Sequence, residues 1–287
     1  MNGPLPPLDE LPTVGIVQRL FDAEALVVPA VRTVAGQVAS AAELIAVRLG
    51  SGGRLVLIGA GTSGRLAVLQ AAELPGTFGL PVERVVARTA GGAAGTDGDE
   101  DNSAAGRLDL EALRLGAGDV LVAVAASGRT PYTLAAVELA RSLGAAVVGV
   151  TTTPHTHLGL LADIAIEVPI GAEVLRGSTR LTAGTAQKLV LDAVTTAAMV
   201  RLGRVHGDVM IDVVPANAKL RARSAGLVAE IVGCPVAEAE AALTECEGNA
   251  RAAVLRLTAG LEPSDAAASA AGHRTLREAL VAVGGAR

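Results

Sequence analysis

The sequence predicts an α/β fold, a doubly wound parallel sheet followed by a small helical region. Three observations predict it. Four short runs are apolar without alternation: Leu55-Val56-Leu57-Ile58, Val85-Val86-Ala87, Val120–Val124 and Ala146–Val150, with Ile164-Ala165-Ile166 and Val168 as a fifth. Continuous apolar runs mark strands covered on both faces. Helical stretches separate most of these runs, and alternation of strand and helix argues for a parallel sheet. After about residue 215 the pattern is helical throughout.

Residues 1–12 hold four of the 13 prolines and read as extended. Helices follow over 13–24 and 27–49, the second closed by Gly50 and Gly52-Gly53. Residues 132–143 set Tyr132, Ala136, Leu139 and Leu143 on one helical face before Gly144. Residues 189–202 read as a buried core helix. Three short helices are expected over 227–232, 236–246 and 249–257, punctuated by Gly233, Pro235 and Gly248, and a last one over 274–283. The implied organisation is an N-terminal helical segment (1–50), a sheet domain (51–215) and a C-terminal helical subdomain (216–287).

Composition excludes several functions. Aromatic residues make up 1% of the 287 and the net charge is −5, so base stacking and a basic nucleic-acid footprint are both missing. The core must be built from Ala, Val, Leu and Ile. No run approaches the roughly 18 consecutive apolar residues of a membrane span. The N-terminus shows no signal-peptide pattern. Cys234 and Cys246 form neither a disulfide framework nor a zinc motif and fit a reducing, cytoplasmic setting. His155 and His157 read as loop residues, so no metal is expected.

Two strand-to-helix turns carry the chemistry. Gly59-Ala60-Gly61-Thr62-Ser63-Gly64-Arg65 follows the first strand, and Ala125-Ala126-Ser127-Gly128-Arg129-Thr130-Pro131 follows the third. Both pass through Ser-Gly-Arg. In open parallel sheets ligands bind beyond the carboxyl ends of the strands, where helix N-termini present free N–H groups to anions. Ser127, Gly128, Arg129 and Thr130 are candidates to hold a phosphate. Thr62, Ser63 and Gly64 are candidates to hold the attached sugar or share the phosphate. Ordinary capped turns are the alternative. The first turn matches G-x-G-x-x-G, but the second strand ends in Ala87-Arg88-Thr89 with no acid, which argues against a dinucleotide. No Walker sequence is present, and no cofactor is expected.

Glu73 closes the helix that leaves the first turn, with Pro75 and Gly76 read as its stop. It falls at i+7 from Leu66, on what reads as the inward face, where a carboxyl with a raised pKa suits a general acid. A surface Glu at a helix end is the alternative. Ten helical residues separate it from Ser63, about 15 Å, so a second subunit is one way to bring it to a site. Glu100 lies in Thr96-Asp97-Gly98-Asp99-Glu100-Asp101-Asn102, a run that reads equally as a solvated acidic turn and in which mutual repulsion can raise one carboxyl.

Taken together, these residues resemble the N-acetylmuramic acid 6-phosphate etherases. Gly59–Leu66 with Ala72-Glu73 is similar to that family's first signature, Ala125–Tyr132 to its second and Gly171–Lys188 to its long third. Gly207–Val213 and Gly233-Cys234 continue the match, which covers roughly 13–260. The resemblance implies a flavodoxin-like fold of the sugar isomerase (SIS) type, a homodimer, no metal, and a sugar 6-phosphate substrate. It implies cleavage of the 3-O-lactyl ether to N-acetylglucosamine 6-phosphate and D-lactate, with Glu73 as acid and Glu100 as base. Glu173 matches a sugar-contacting position, and Lys188 either supports the site or is a surface residue. The chain departs from the family at Gln70-Ala71-Ala72, at Thr182, where Lys is usual, and in its shortened N-terminus. A sugar-phosphate sensor without turnover and a phosphosugar isomerase are the competing functions. The 225–258 helices resemble a ubiquitin-associated-like bundle and read as a structural lid.

Overall fold

The computed structural model describes residues 6–92, 95–215 and 217–284. The chain divides into two units, Met1–Ala71 with Val86–Thr195, and Ala72–Val85 with Thr196–Arg287.

The first unit holds the sheet. Helices α1 (Thr13–Glu24), α2 (Val27–Arg32) and α3 (Ala35–Gly50) lead into β1 (Leu55–Gly59). The stretch expected as one helix over 27–49 is thus two, parted around Thr33 and Val34. The extended reading of 1–12 falls partly outside the described residues, and within them Leu8–Glu10 make a 3-10 turn. Then come α4 (Gly61–Phe78), β2 (Val85–Thr89), α5 (Ser103–Glu111), β3 (Val120–Val124), α6 (Pro131–Ser142), β4 (Ala146–Thr151), α7 (His157–Leu161), β5 (Ile164–Glu167) and α8 (Thr182–Arg201). The five strands form one parallel sheet in the order β2-β1-β3-β4-β5, which bears out the predicted fold class. Every residue of β1, β3 and β4 is buried, as unalternating apolar runs require.

Two local expectations are corrected. The helix α4 does not stop at Pro75. It runs on to Phe78 and ends at Gly79, whose φ is +63°. Pro75 costs that turn one N–H donor, but Gly79 N–H donates to the Pro75 carbonyl at 2.9 Å, and Leu74 and Phe78 are buried. The burial of α4 follows Ser63, Ala67, Gln70, Ala71, Leu74 and Phe78. Leu66 is only half-buried, so sharing its direction leaves Glu73 exposed rather than inward.

The second unit is helical: α9 (Ala218–Val232), α10 (Val236–Glu245), α11 (Ala250–Ala259), α12 (Pro263–Gly272) and α13 (Leu276–Ala282). A two-stranded hairpin, β6 (Val205–His206) and β7 (Val209–Met210), precedes them. The sequence reading lacked α12, which has no large apolar face and rests on alanines behind Pro263 at the helix start. It also lacked the hairpin, whose strands are two residues each. The core gathers Val228, Ala242, Val254, Leu255 and Leu276. Asp212 anchors this unit, accepting from Arg204 at 3.0 Å and from Arg251 at 2.6 and 2.7 Å.

Candidate active site

The strand order makes β1 and β3 neighbours, with Gly59 level with Val124 at their carboxyl ends. From β1 the sheet proceeds one way to β2 and the other way to β3, β4 and β5. This is the topological switch point of an open sheet, where the turns leaving adjacent strands part and leave a crevice. The two Ser-Gly-Arg turns flank it.

The turn after β3 is built around Gly128. Its φ is +62°, and a Cβ there would stand 2.4 Å from the Cβ of Thr156, so only glycine fits. Arg129 N–H donates to Ser127 Oγ at 3.3 Å, and Pro131 opens α6 behind Thr130. A second layer holds Thr156. Its N–H and hydroxyl both donate to Glu167 Oε1 at 2.9 Å, while His155 N–H donates to Oε2 at 2.8 Å. Thr156 Oγ1 also caps α7 by accepting from Gly159 N–H. Burial pushes the Glu167 carboxyl up, but these donors outweigh it and hold the group below the ordinary carboxylate value. Sequence reasoning missed Thr156 and Glu167. The available signal was a charged residue closing the apolar run Ile164-Ala165-Ile166.

The turn after β1 opens α4. Gly64 is forced to be glycine by contact, since a Cβ would lie 2.1 Å from Thr89 Oγ1 of β2. Ser63 is buried, and its hydroxyl donates to Gln187 Oε1 of α8 at 3.0 Å. Its proton is therefore engaged, which leaves its oxygen able only to accept further hydrogen bonds. Thr62 is half-buried and places its methyl against Gly184. Gln70 Nε2 donates to Thr195 Oγ1 at 2.7 Å, so α8 lies along α4. Gln187, also missed, is the pin between them.

The α8 start is closed by Glu173. Oε2 accepts from Thr182 N–H at 3.1 Å and from its hydroxyl at 2.7 Å, and Oε1 accepts from Ala183 N–H at 3.0 Å. The carboxylate thus sits on the positive end of α8, and Thr182 supplies hydrogen bonds where the resembling family usually has Lys. Lys188 pairs with Asp192 at 2.5 Å one turn further along.

Glu100 is exposed in the 3-10 turn Asp97–Asp101. The turn starts with a capping box in which Asp99 accepts from Thr96 N–H at 2.7 Å and Thr96 Oγ1 at 3.0 Å. Those bonds hold the Asp99 carboxyl down, so for this member of the acidic run hydrogen bonding prevails over mutual repulsion. The turn also touches α6. Behind it α5 packs on α6 so closely that a Cβ on Gly106 would meet the Tyr132 carbonyl oxygen at 2.1 Å. Tyr132 is fully buried and donates to Asp109 at 2.6 Å. Burial and then this carboxylate raise its pKa far above the usual value. Glu100 is thereby fixed relative to Ser127–Thr130. Arg129 is exposed and lines a groove of about 580 Å³ between α5 and α6, together with Arg107 and Glu138. Glu73 is exposed on α4, in the part of that helix belonging to the second unit.

A doubly wound sheet with paired Ser-Gly-Arg turns at its switch point defines a protein of the SIS-domain class, and the SIS domain family matches residues 21–152. Likeness to solved structures supports the same fold. A phosphoheptose isomerase from Francisella tularensis superposes with a TM-score of 0.53 at 18% identity, covering 66% of this chain and all 100% of that one. A Bacteroides fragilis protein assigned as a phosphosugar isomerase of capsule formation gives 0.53 at 25%, covering 68% and 98%. Sequence comparison is more specific. The N-acetylmuramic acid 6-phosphate etherase 1 of Vibrio cholerae is 44% identical, with 93% of this chain and 90% of that one aligned. The etherase of Rubrobacter xylanophilus is 46% identical over 90% and 87%, and that of Streptomyces coelicolor 45% over 96% and 90%. The chain belongs to the N-acetylmuramic acid 6-phosphate etherase family.

Proposed function

We propose that the protein is a lyase that converts N-acetylmuramic acid 6-phosphate and water to N-acetylglucosamine 6-phosphate and D-lactate. The observation that carries this beyond kinship is the adjacency of the two Ser-Gly-Arg turns at the switch point, with the Glu100 turn resting on the helix that leaves the second. Ser127, Gly128, Arg129 and Thr130 hold the 6-phosphate through backbone N–H groups and hydroxyls at the start of α6. Thr62, Ser63 and Gly64 face the sugar, and Glu173 and Lys188 border it.

In the ring-opened sugar the C1 aldehyde acidifies the C2 proton. Glu100 removes that proton, the C3–O bond breaks, and Glu73 protonates the departing lactate oxygen. Water then adds across C2 and C3, its oxygen going to C3 and a proton to C2. Two carboxyls with different protonation states are what this sequence of steps needs. Glu73 stands well along α4 from the first turn, so we assign it to the site of a second subunit in a homodimer. The free thiols of Cys234 and Cys246 fit a cytoplasmic setting.

The test is release of D-lactate from N-acetylmuramic acid 6-phosphate. Glu73→Gln and Glu100→Gln each remove most turnover while leaving N-acetylglucosamine 6-phosphate binding near wild type. A wild-type protein that binds the substrate and releases nothing would instead be a sensor.

A further inference from the structure

Beside the crevice, on its β2 side, lies a cavity of about 240 Å³ that the roles assigned above leave unused. Its walls are Gly61, Arg65 and Val68 of α4, Thr89 and Ala90 at the end of β2, and Thr96 ahead of the Glu100 turn. Arg65 is exposed and has no ion pair or side-chain hydrogen bond among the described residues. The Asp99 carboxylate, the neighbouring acid whose bonds are defined, is turned onto Thr96. The Arg65 guanidinium therefore has no ion-pair partner among the described residues, in a concave site whose wall includes Thr96, the cap of the turn that carries Glu100.

We propose that this cavity is the subsite for the lactyl carboxylate of the substrate, with Arg65 its binding residue. The inference rests on the lyase reading and deepens it. The volume is too small for a whole sugar phosphate, since drug-sized ligands occupy about 300–1,000 Å³, but it suits a three-carbon carboxylate arm. A planar guanidinium matches a carboxylate in a two-bond fork. The start of α4 beside it adds the positive end of an 18-residue helix. The spacing is also right. The phosphate turn leaves β3 and the cavity sits at the end of β2, two strand intervals apart, about 10 Å across the sheet. An opened hexose with its phosphate on C6 and a lactyl ether on C3 has a comparable reach. Seated this way, the C3 substituent enters the cavity and C2 lies toward the Glu100 turn.

The experiment compares two ligands that share the sugar and phosphate and differ in the lactyl group. In Arg65→Gln the KM for N-acetylmuramic acid 6-phosphate rises roughly 10- to 100-fold, the loss expected for a charge-assisted hydrogen-bonded pair. The calorimetric Kd for N-acetylglucosamine 6-phosphate stays within about twofold of wild type. Arg65→Lys recovers part of the loss, and the thermal midpoint of both variants is unchanged because the side chain is exposed. Equal weakening of both ligands would place Arg65 on the phosphate and overturn the assignment, and so would no change in either. Should the wild-type protein release no lactate, the lyase reading fails. The same comparison is then made as two dissociation constants, which still decide whether Arg65 prefers the lactyl-bearing ligand.

Discussion

Gly128→Ala probes the geometry of the proposed phosphate turn directly. An alanine at φ +62° costs about 1 kcal/mol for the left-handed backbone alone. Its methyl would also stand 2.4, 2.6 and 2.8 Å from the Cβ, Oγ1 and Cγ2 of Thr156. Thr156 has nowhere to go, because its N–H and hydroxyl are bound to Glu167 and its oxygen caps α7. Forcing a methyl into such a contact adds roughly 1–3 kcal/mol. The expected loss of stability is thus ~2–4 kcal/mol, read from the urea midpoint at constant slope. If the turn instead moves to relieve the clash, the N–H groups proposed to hold the phosphate move with it. Calorimetry should then show N-acetylglucosamine 6-phosphate binding weakened by about tenfold or more. Gly116→Ala is the control, since nothing lies within 4 Å of a Cβ there and its φ is not positive. A Gly128→Ala protein with stability and phosphate affinity both near wild type would refute the claim that this glycine sets the turn.

Glu167→Gln should weaken the same turn from behind, costing about 1 kcal/mol at pH 7 through its hydrogen bonds to the 155–156 backbone. Because the Glu167 carboxyl is depressed in the folded state, its contribution is complete above the ordinary value of 4.5 and is lost as pH falls through the lower folded value. The urea midpoints of wild type and variant should therefore differ by a constant amount above about pH 4.5 and converge as pH falls below it; a difference unchanged across that range would remove Glu167 from the account. The shared-site assignment of Glu73 is tested by mixing inactive Glu73→Gln and Glu100→Gln proteins after exchange of subunits. One intact site in each mixed dimer gives about one quarter of wild-type lactate release, whereas acids acting within one chain give none.

The strands were legible because their burial on both faces leaves no alternation to interpret. Leu55, Val120 and Ala146 each begin a run whose every residue is buried in the structure. The two turns were legible for a related reason, since glycine and hydroxyl residues between an apolar run and a helix leave few other structures open. What could not be read was which strands are neighbours, since β1 and β3 are about 60 residues apart and pair only through the crossover. The orientation of Glu73 was misread through its reference residue. A period of 3.6 correctly aligns it with Leu66, but Leu66 lies beside the buried seam of Ser63, Ala67, Gln70 and Leu74 rather than in it. Gln187 was invisible because its partner is far away in sequence, 124 positions from it at Ser63. Thr156 and Glu167 bond across only 11 positions and were missed because nothing local marks a strand-end Glu as the acceptor of a neighbouring loop.

The contact between α5 and α6 shows how a short acidic turn on the surface can hold Glu100, the proposed base, in place. An exposed 3-10 turn has little burial of its own to fix it, and a loop carrying Glu100 alone would wander. Two constraints remove that freedom. At its start Thr96 and Asp99 close the capping box, and at its end Asn102 caps α5 by accepting from Ala105 N–H at 2.9 Å. The helix α5 is then locked to α6 by Gly106 against the Tyr132 backbone and by the Tyr132–Asp109 bond. Since α6 begins at Pro131, directly after Ser127–Thr130, the same helix positions both the proposed anion turn and the proposed base. If these assignments hold, a methyl at Gly106 lowers lactate release without approaching the ligand, because it separates the two turns that share α6.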